Sequence, residues 1–559
     1  MSRFLAMLLD AAARSPRAMT TGEPHAPVRR PWSEVHRTAR RVAAALRAGS
    51  GEVPGLRHGA AVGILAAEPA SIAPAAQAVW LSGGSVTMLH QPTPRTDLAA
   101  WAEETVTVLR MIDARLVLLG APFDALAPVL AEHGIAFRTL DELQAPGAAL
   151  AGDIESDAAV AGEGDTALLQ LTSGSTADPK AVRITHGNLH ANITAMAQAS
   201  RLDAERDVMV SWLPLFHDMG MVGFLTVPMV TGLELVTVTP ADFLGRPLIW
   251  AELISKYGGT VTAAPNFAYA VLARTLARAE PGSLDLSSLR IALNGAEPID
   301  PDSVAAFTAA GAPFGLREES VLCAYGMAET ALAVSFAPVG TGIEVDHVDA
   351  EELEHNRRAV PASGGPARRF PRLGPPLPGL EIRVVGDDGT VLGDREVGVL
   401  QLRGASVTPG YLTVDGPLST VDADGWLDTG DEGYLADGTV VVCGRRKDVI
   451  IMGGRNIYPT DIERAAAGAA GVRAGNAVAV RLAAGEGRHR ESFLVAVESR
   501  KAGDPEAERA IRKEVTARVV TAVGVRPAEV VVLEPGVLPK TPSGKLRRSA
   551  TRDLVAARV

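Results

Sequence analysis

Cysteine is almost absent from this 559-residue chain: Cys323 and Cys443 are the only two, far apart and without histidine-rich surroundings. A disulfide framework and a structural zinc site are both excluded on that count, and the usage suits a reducing cytoplasm. Positive charge is also short, with 54 Lys and Arg against 65 Asp and Glu and a formal net charge of -11. Proteins that hold a polyanionic backbone need clustered cations to displace its counterions, so no nucleic-acid partner is expected. Long apolar runs are missing as well. The most apolar stretch, MGMVGFLTVPMVTGLELVTV from Met219, is broken by Pro228, Gly232 and Glu234, and reads as buried core with no membrane span. Near the N-terminus a short apolar run carries Asp10 and lacks a cleavage context, so a helix is expected there in place of a signal peptide. No GxxxxGK[ST] phosphate loop occurs: Lys180 lies between Pro179 and Ala181, and Lys545 is followed by Leu546. Lysine itself is scarce, at seven residues.

What remains is an ordinary globular composition, 47% hydrophobic and 21% charged. At this length two or more domains are expected. Residues 32 to 48 repeat apolar positions at helical spacing, and AAVGILAAE from Ala60 reads as a buried strand. Apolar runs then recur as ARLVLLG near 114, LTVPMV near 225, GTVTAAP near 259 and LRIALNGAE near 289, with helix-length segments between them. Such alternation predicts layered α/β sheets covered by helices. After about Pro376 the pattern shifts to short strands joined by Asp-Gly turns, the mark of hairpins and a small β-barrel-like subdomain. The expected division is 1–375 for a large α/β region, 376–446 for the β-rich subdomain, and 447–559 for a small, mobile α+β domain. Residues 339 to 379, rich in Pro, Gly and charge, read as an insertion or a long surface loop.

The stretch LQLTSGSTADPKAVRITHGNL, from Leu169, concentrates groups that can hold an anion. Thr172, Ser173, Ser175 and Thr176 offer hydroxyls, Gly174 permits close backbone approach, and Lys180 adds a mobile cation. Plain turn chemistry is the rival reading of such a loop.

That order of residues resembles the phosphate loop of the adenylate-forming enzymes, the superfamily of acyl-CoA synthetases, peptide-synthetase adenylation domains and luciferases. Four further stretches carry the same resemblance in the same order. AYGMAET (Ala324 to Thr330) implies Tyr325 against adenine with Gly326 and Met327 beside it, Glu329 as a magnesium ligand and Thr330 near the α-phosphate. WLDTGDEGYL implies Asp431 on the ribose hydroxyls. GRRKDVIIMGGRNIYPTDIE implies Arg445 near ribose and phosphate, with Lys447 at an inter-domain hinge. LPKTPSGKLRR implies Lys545 as the catalytic cation. Each has a plainer alternative: a solvated acid for Glu329, a turn residue for Asp431, a basic tail for Lys545.

Within the superfamily the chain is most similar to fatty acyl-AMP ligases. SWLPLFHDMGMVG resembles an element of that group and implies His217 and Asp218 near acid and nucleotide, and NGAEPID implies Asn294, Gly295, Ala296 and Glu297 along the adenine. APNFAYAV and MGMVGFL are the expected borders of an acyl pocket, apolar segments that are otherwise simply core. The 339 to 379 stretch falls where these ligases carry an insertion held to hinder the rotation used for coenzyme A transfer. The resemblance implies ATP-dependent activation of a fatty acid to acyl-AMP with Mg²⁺. Transfer would follow to the phosphopantetheine thiol of a holo acyl carrier protein or a polyketide or peptide synthase carrier domain. Lys180 in PKAV is nearer the acyl-CoA synthetase form, which keeps coenzyme A open as the acceptor. A non-catalytic nucleotide- or acyl-binding protein is the reading from another class.

Overall fold

The computed structural model describes residues 1–51, 53–93, 96–145, 161–172, 179–452, 454–482, 491–540 and 545–556. The chain divides into two compact units. The first comprises Met1–Ile343, Gly374–Glu381 and Arg403–Leu427; the second comprises Glu344–Leu373, Ile382–Leu402 and Asp428–Val559.

Two eight-stranded sheets dominate the first unit. One runs in the order Ala333–Phe336, Val321–Gly326, Ile291–Asn294, Val261–Ala264, Val208–Ser211, Glu234–Thr237, Ala18–Thr21, Val28–Pro31. Its middle pairings are parallel, and strands such as Val261–Ala264 and Glu234–Thr237 are buried at every position, as expected where helices cover both faces. The other runs Gly416–Ser419, Gly410–Thr413, Lys180–Thr185, Thr166–Thr172, Ser85–Met88, Ala61–Leu65, Ala114–Leu119, Phe137–Thr139. Its inner strands are parallel, while Thr166–Thr172, Lys180–Thr185 and Gly410–Thr413 form an antiparallel meander. The α/β layering read from the sequence is the observed one.

The N-terminal apolar run is the helix Arg3–Arg14, started by Ser2, whose hydroxyl accepts from Leu5 N. One expectation fails. LTVPMV contains no strand: Met219–Thr226 is a π-helix, and Val227–Thr231 continues as an α-helix. Pro228 cannot donate to a sheet ladder but is tolerated in a first helical turn, so the strand of this region waits until Glu234–Thr237. The whole run is buried, and among the described residues no helix is long and apolar enough to cross a membrane.

In the second unit a three-stranded sheet, Ala477–Leu482, Ser492–Glu498, Glu529–Leu533, carries helices Pro459–Ala467 and Pro505–Val523 around Phe493, Val495, Val515 and Val519. Helix Arg548–Ala556 packs through Val555 against Val478, Val480 and Leu494. The Asp-Gly turns do close hairpins: Ala436 pairs with Thr439 across Asp437 and Gly438, both at positive φ.

The stretch read as irregular holds more order than its composition suggests. Val345–Asp349 and Ala367–Pro371 pair antiparallel, with helix Ala350–Asn356 between them. Val348, Leu353 and Phe370 pack with Tyr434, Cys443 and Tyr458. Buried polar contacts add to this: Asp346 receives Tyr434 Oη at 2.8 Å and Arg395 at 3.0 Å.

Candidate active site

Parallel strands deliver their following loops to one edge of a sheet, the usual place for ligands in α/β folds. Strands Val208–Ser211, Ile291–Asn294 and Val321–Gly326 lead into His217, Asn294–Glu297 and Tyr325–Thr330, so these expected site residues share the carboxyl edge of the first sheet. Asn294 pairs with Cys323, and a side chain on Gly295 would come within 3.1 Å of Ala324 O. A side chain on Gly326 would meet Leu332 O at 2.3 Å, so only glycine fits. Two alanines on this edge, Ala296 at φ 66° and Ala331 at φ 67°, adopt left-handed backbone. Such strain concentrates at ligand-binding positions.

The meander of the second sheet brings the remaining first-unit residues. Thr172 pairs in register with Lys180. Thr172 Oγ1 is buried with no hydrogen-bond partner among the described residues. Ser173, Gly174, Ser175 and Thr176 lie outside the described residues. Gln170 Nε2 donates to Phe216 O at 2.9 Å, tying this strand to the His217 loop. There Asp218 Oδ1 stands 2.7 Å from His217 Nδ1, and Met219 N donates to both, at 2.7 Å to Asp218 Oδ1 and 3.3 Å to His217 Nδ1. His90 packs edge-on to Phe216, and burial, then the neighbouring His217, lowers its pKa to about 4. The π-helix Met219–Thr226 begins here, a form often found at functional sites. Trp212 stacks on Phe243 at 3.9 Å and meets Phe267 of APNFAYAV, so that segment borders an aromatic cluster.

Glu329 is held twice by a segment that sequence reasoning passed over. Thr408 N donates to its carbonyl at 2.8 Å, and Tyr411 Oη donates to its Oε1 at 2.6 Å. Lys180 Nζ lies 4.2 Å from the centroid of the Tyr411 ring. Asn192 exchanges two hydrogen bonds with Ala333, and Asn188 Nδ2 donates to Ala405 O and Val407 O, so helix His186–Ala199 braces both sides of Glu329. Thr330 is fully buried, its hydroxyl donating to Met327 O. The Gly-Tyr in TPGYLT was the available signal: a side chain on Gly410 would strike Leu418 O at 2.3 Å.

In the second unit Asp431 and Arg445 are paired across a hairpin, with Arg445 Nε 2.9 Å from Asp431 Oδ1. Asp431 is buried, and its amide donates to Thr429 Oγ1. Lys447 is exposed on the turn Arg446–Asp448. Arg548, three residues beyond Lys545, reaches Asp448 at 3.1 Å and Glu463 at 2.7 Å, linking the C-terminal segment to the turn that holds Lys447.

Against this geometry the chain compares clearly with known proteins. The model of the AMP-binding enzyme family matches residues 10–412. The chain belongs to that family. The candidate ligase Rv1013 of Mycobacterium tuberculosis is 56% identical over 557 residues, 99% of this chain and 100% of its own. A medium-chain fatty acid–[acyl-carrier-protein] ligase of Moorena producens, JamA, is 35% identical over 69% of this chain and 67% of its own. A solved fatty acyl-adenylate ligase, from work on the E. coli and L. pneumophila enzymes, superposes with a TM-score of 0.87 at 30% identity, over 100% of this chain and 98% of its own. Kinship with fatty acyl-AMP ligases thus holds over the full chain.

Proposed function

We propose that this family member activates a fatty acid as its acyl-AMP, releasing pyrophosphate, and passes the acyl group to the phosphopantetheine thiol of an acyl carrier protein or synthase carrier domain. The observation that carries the first half is the convergence of Lys180 and Glu329 on Tyr411, on the meander where Thr172 Oγ1 has no partner among the described residues. A cation, a carboxylate and an unpaired hydroxyl suit a nucleotide with its metal.

A carboxylate resists attack because its charge and resonance make it a poor electrophile. In the proposed step the acid's oxygen attacks the α-phosphorus of ATP, pyrophosphate departs, and a mixed anhydride forms. Lys545 would bridge the carboxylate and α-phosphate as charge builds, with Thr172 and Lys180 holding phosphate oxygens. His217, with Asp218 behind it, would present Nε2 toward the acid. Asp431 would accept from the ribose hydroxyls, and Arg445, already at its carboxylate, would follow the sugar. Tyr325 and Asn294 to Glu297 would hold the adenine. Among the described residues no cluster of three or more acidic, histidine or cysteine side chains could cage an ion. Glu329 is the carboxylate that would hold Mg²⁺, an ion that commonly takes one or two carboxylates and completes its shell with phosphates and water. That ion would offset repulsion between acid and triphosphate.

For the acceptor, the supporting feature is the ordered 344–373 strap. Glu354, 2% exposed, pairs with Arg368 and with Arg455, the latter at 2.5 Å. Both arginines also donate to the last carbonyls of helix Pro505–Val523, Ala522 O at 2.8 Å and Val523 O at 2.7 Å. The strap stands where fatty acyl-AMP ligases carry their insertion, and the likeness to the carrier-protein ligase JamA supports the same acceptor. Lys180 is the residue that favours the alternative, coenzyme A as acceptor. The two buried free thiols, Cys323 and Cys443, agree with a cytoplasmic setting.

Pyrophosphate release with ATP and fatty acids of graded length tests the activation step, and no release with any acid would refute it. Lys545→Ala should lower the adenylation rate by about 10²-fold or more while leaving ATP affinity nearly intact.

A further inference from the structure

Tyr411 makes contacts of two opposite kinds. Its hydroxyl donates to a carboxylate, and its ring face receives an ammonium. The register explains why both are possible. Strand Gly410–Thr413 pairs antiparallel with Lys180–Thr185, setting Thr413 against Lys180 and Tyr411 against Val182. Lys180 and Tyr411 are therefore diagonal neighbours on one face, within reach of a long side chain. The same segment fixes the Glu329 turn through Thr408, whose amide donates to Glu329 O and whose hydroxyl donates to Arg183 O.

Lys180 and Glu329 carry opposite charges and converge on one ring. Side chains so placed attract one another, and a direct ion pair would cancel both before any nucleotide arrived. The phenol gives each charge its matching partner: an O–H for the carboxylate and a negative π-face for the ammonium. The two charges thus meet different parts of one side chain.

We propose that Tyr411 is a positioning residue that holds Lys180 and Glu329 as separate charges, the ammonium ready for a phosphate and the carboxylate ready for the metal that accompanies it. This rests on the reading that the chain binds magnesium–ATP. The phenol touches neither reacting atom; it acts through the two charged groups.

The test is equilibrium ATP binding by titration calorimetry on the full chain, with excess Mg²⁺ and, separately, with EDTA. Tyr411→Phe keeps the ring and loses the hydroxyl. It should weaken binding roughly tenfold in Mg²⁺, raise the Mg²⁺ needed for half-maximal binding by a similar factor, and leave binding in EDTA within about twofold. Tyr411→Leu removes the ring too, and should weaken binding in EDTA as well. Glu329→Gln should reproduce the Mg²⁺-dependent loss, and adding Tyr411→Phe to it should cost little more, because the two act as one unit. Equal losses in both media for Tyr411→Phe, or no loss in either, would overturn the proposal while the functional reading stands. Failure of the unaltered chain to bind ATP in either medium would overturn both.

Discussion

The sheet core of the first unit and the 344–373 strap of the second are held in opposite ways. Val62, Ile64, Val117 and Leu118 are apolar and fully buried. Burial of that kind is non-directional and tolerates exchange of shape at constant volume. The strap depends on direction: Glu354 sits between two guanidiniums, and Arg368 also reaches Asp461 at 3.2 Å. Removing one member of such a set leaves the others buried and uncompensated. A region built on apolar packing is a platform, whereas one built on buried charge is fixed in a particular arrangement and fails abruptly when a partner goes.

The largest break should come from Glu354→Ala, which takes the carboxylate from Arg455, leaves Arg368 with Asp461 alone, and should destabilise the second unit by about 3–5 kcal/mol, read from its denaturant transition. Replacing Glu354, Arg368 and Arg455 together by apolar residues of similar size should recover much of that loss, a result that apolar packing alone would not produce. Leu118→Ala should cost the first unit about 3 kcal/mol through the cavity it leaves, and Leu118→Met much less. The mildest probe is pH. His186 is fully buried beside Ser2, and burial lowers its pKa to about 4. Its unfolded value is near the usual histidine value, so the unfolded chain takes up the proton first as pH falls. The neutral ring's contribution is thus complete above about pH 6.5 and declines to its loss near pH 4, a change of roughly 3 kcal/mol at most. His186→Asn should flatten that part of the stability–pH curve relative to the unaltered chain.

The same contrast explains what could be read before the fold was known. Apolar runs such as Val261–Ala264 and Ile291–Asn294 announce buried strands because parallel sheets leave their pattern in composition. LTVPMV misled for the same reason: a wholly buried helix and a buried strand share one apolar signature, and Pro228 was the only local sign of the difference. The motif residues could be named from the sequence as expectations, and the fold puts Asn294 and Tyr325 at the ends of neighbouring strands, with Glu329 on the turn after Tyr325 and His217 beyond a third strand of the same sheet. The roles of Tyr411, Thr408 and Asn192 were not legible, because they depend on partners far along the chain, such as Glu329, Lys180, Arg183 and Ala333, that periodicity does not specify. The strap read as an insertion or a long surface loop for a related reason. Its order comes from a few apolar side chains and from charged pairs whose partners are spread along the chain, which read locally as an ordinary solvated run.

The most direct test of the central claim follows the fate of the acyl group. Enzyme charged with radiolabelled fatty acid and ATP is divided between holo acyl carrier protein and coenzyme A, and the thioesters are counted. The account requires label on the carrier and little acyl-CoA. Acyl-CoA as the main product would contradict it.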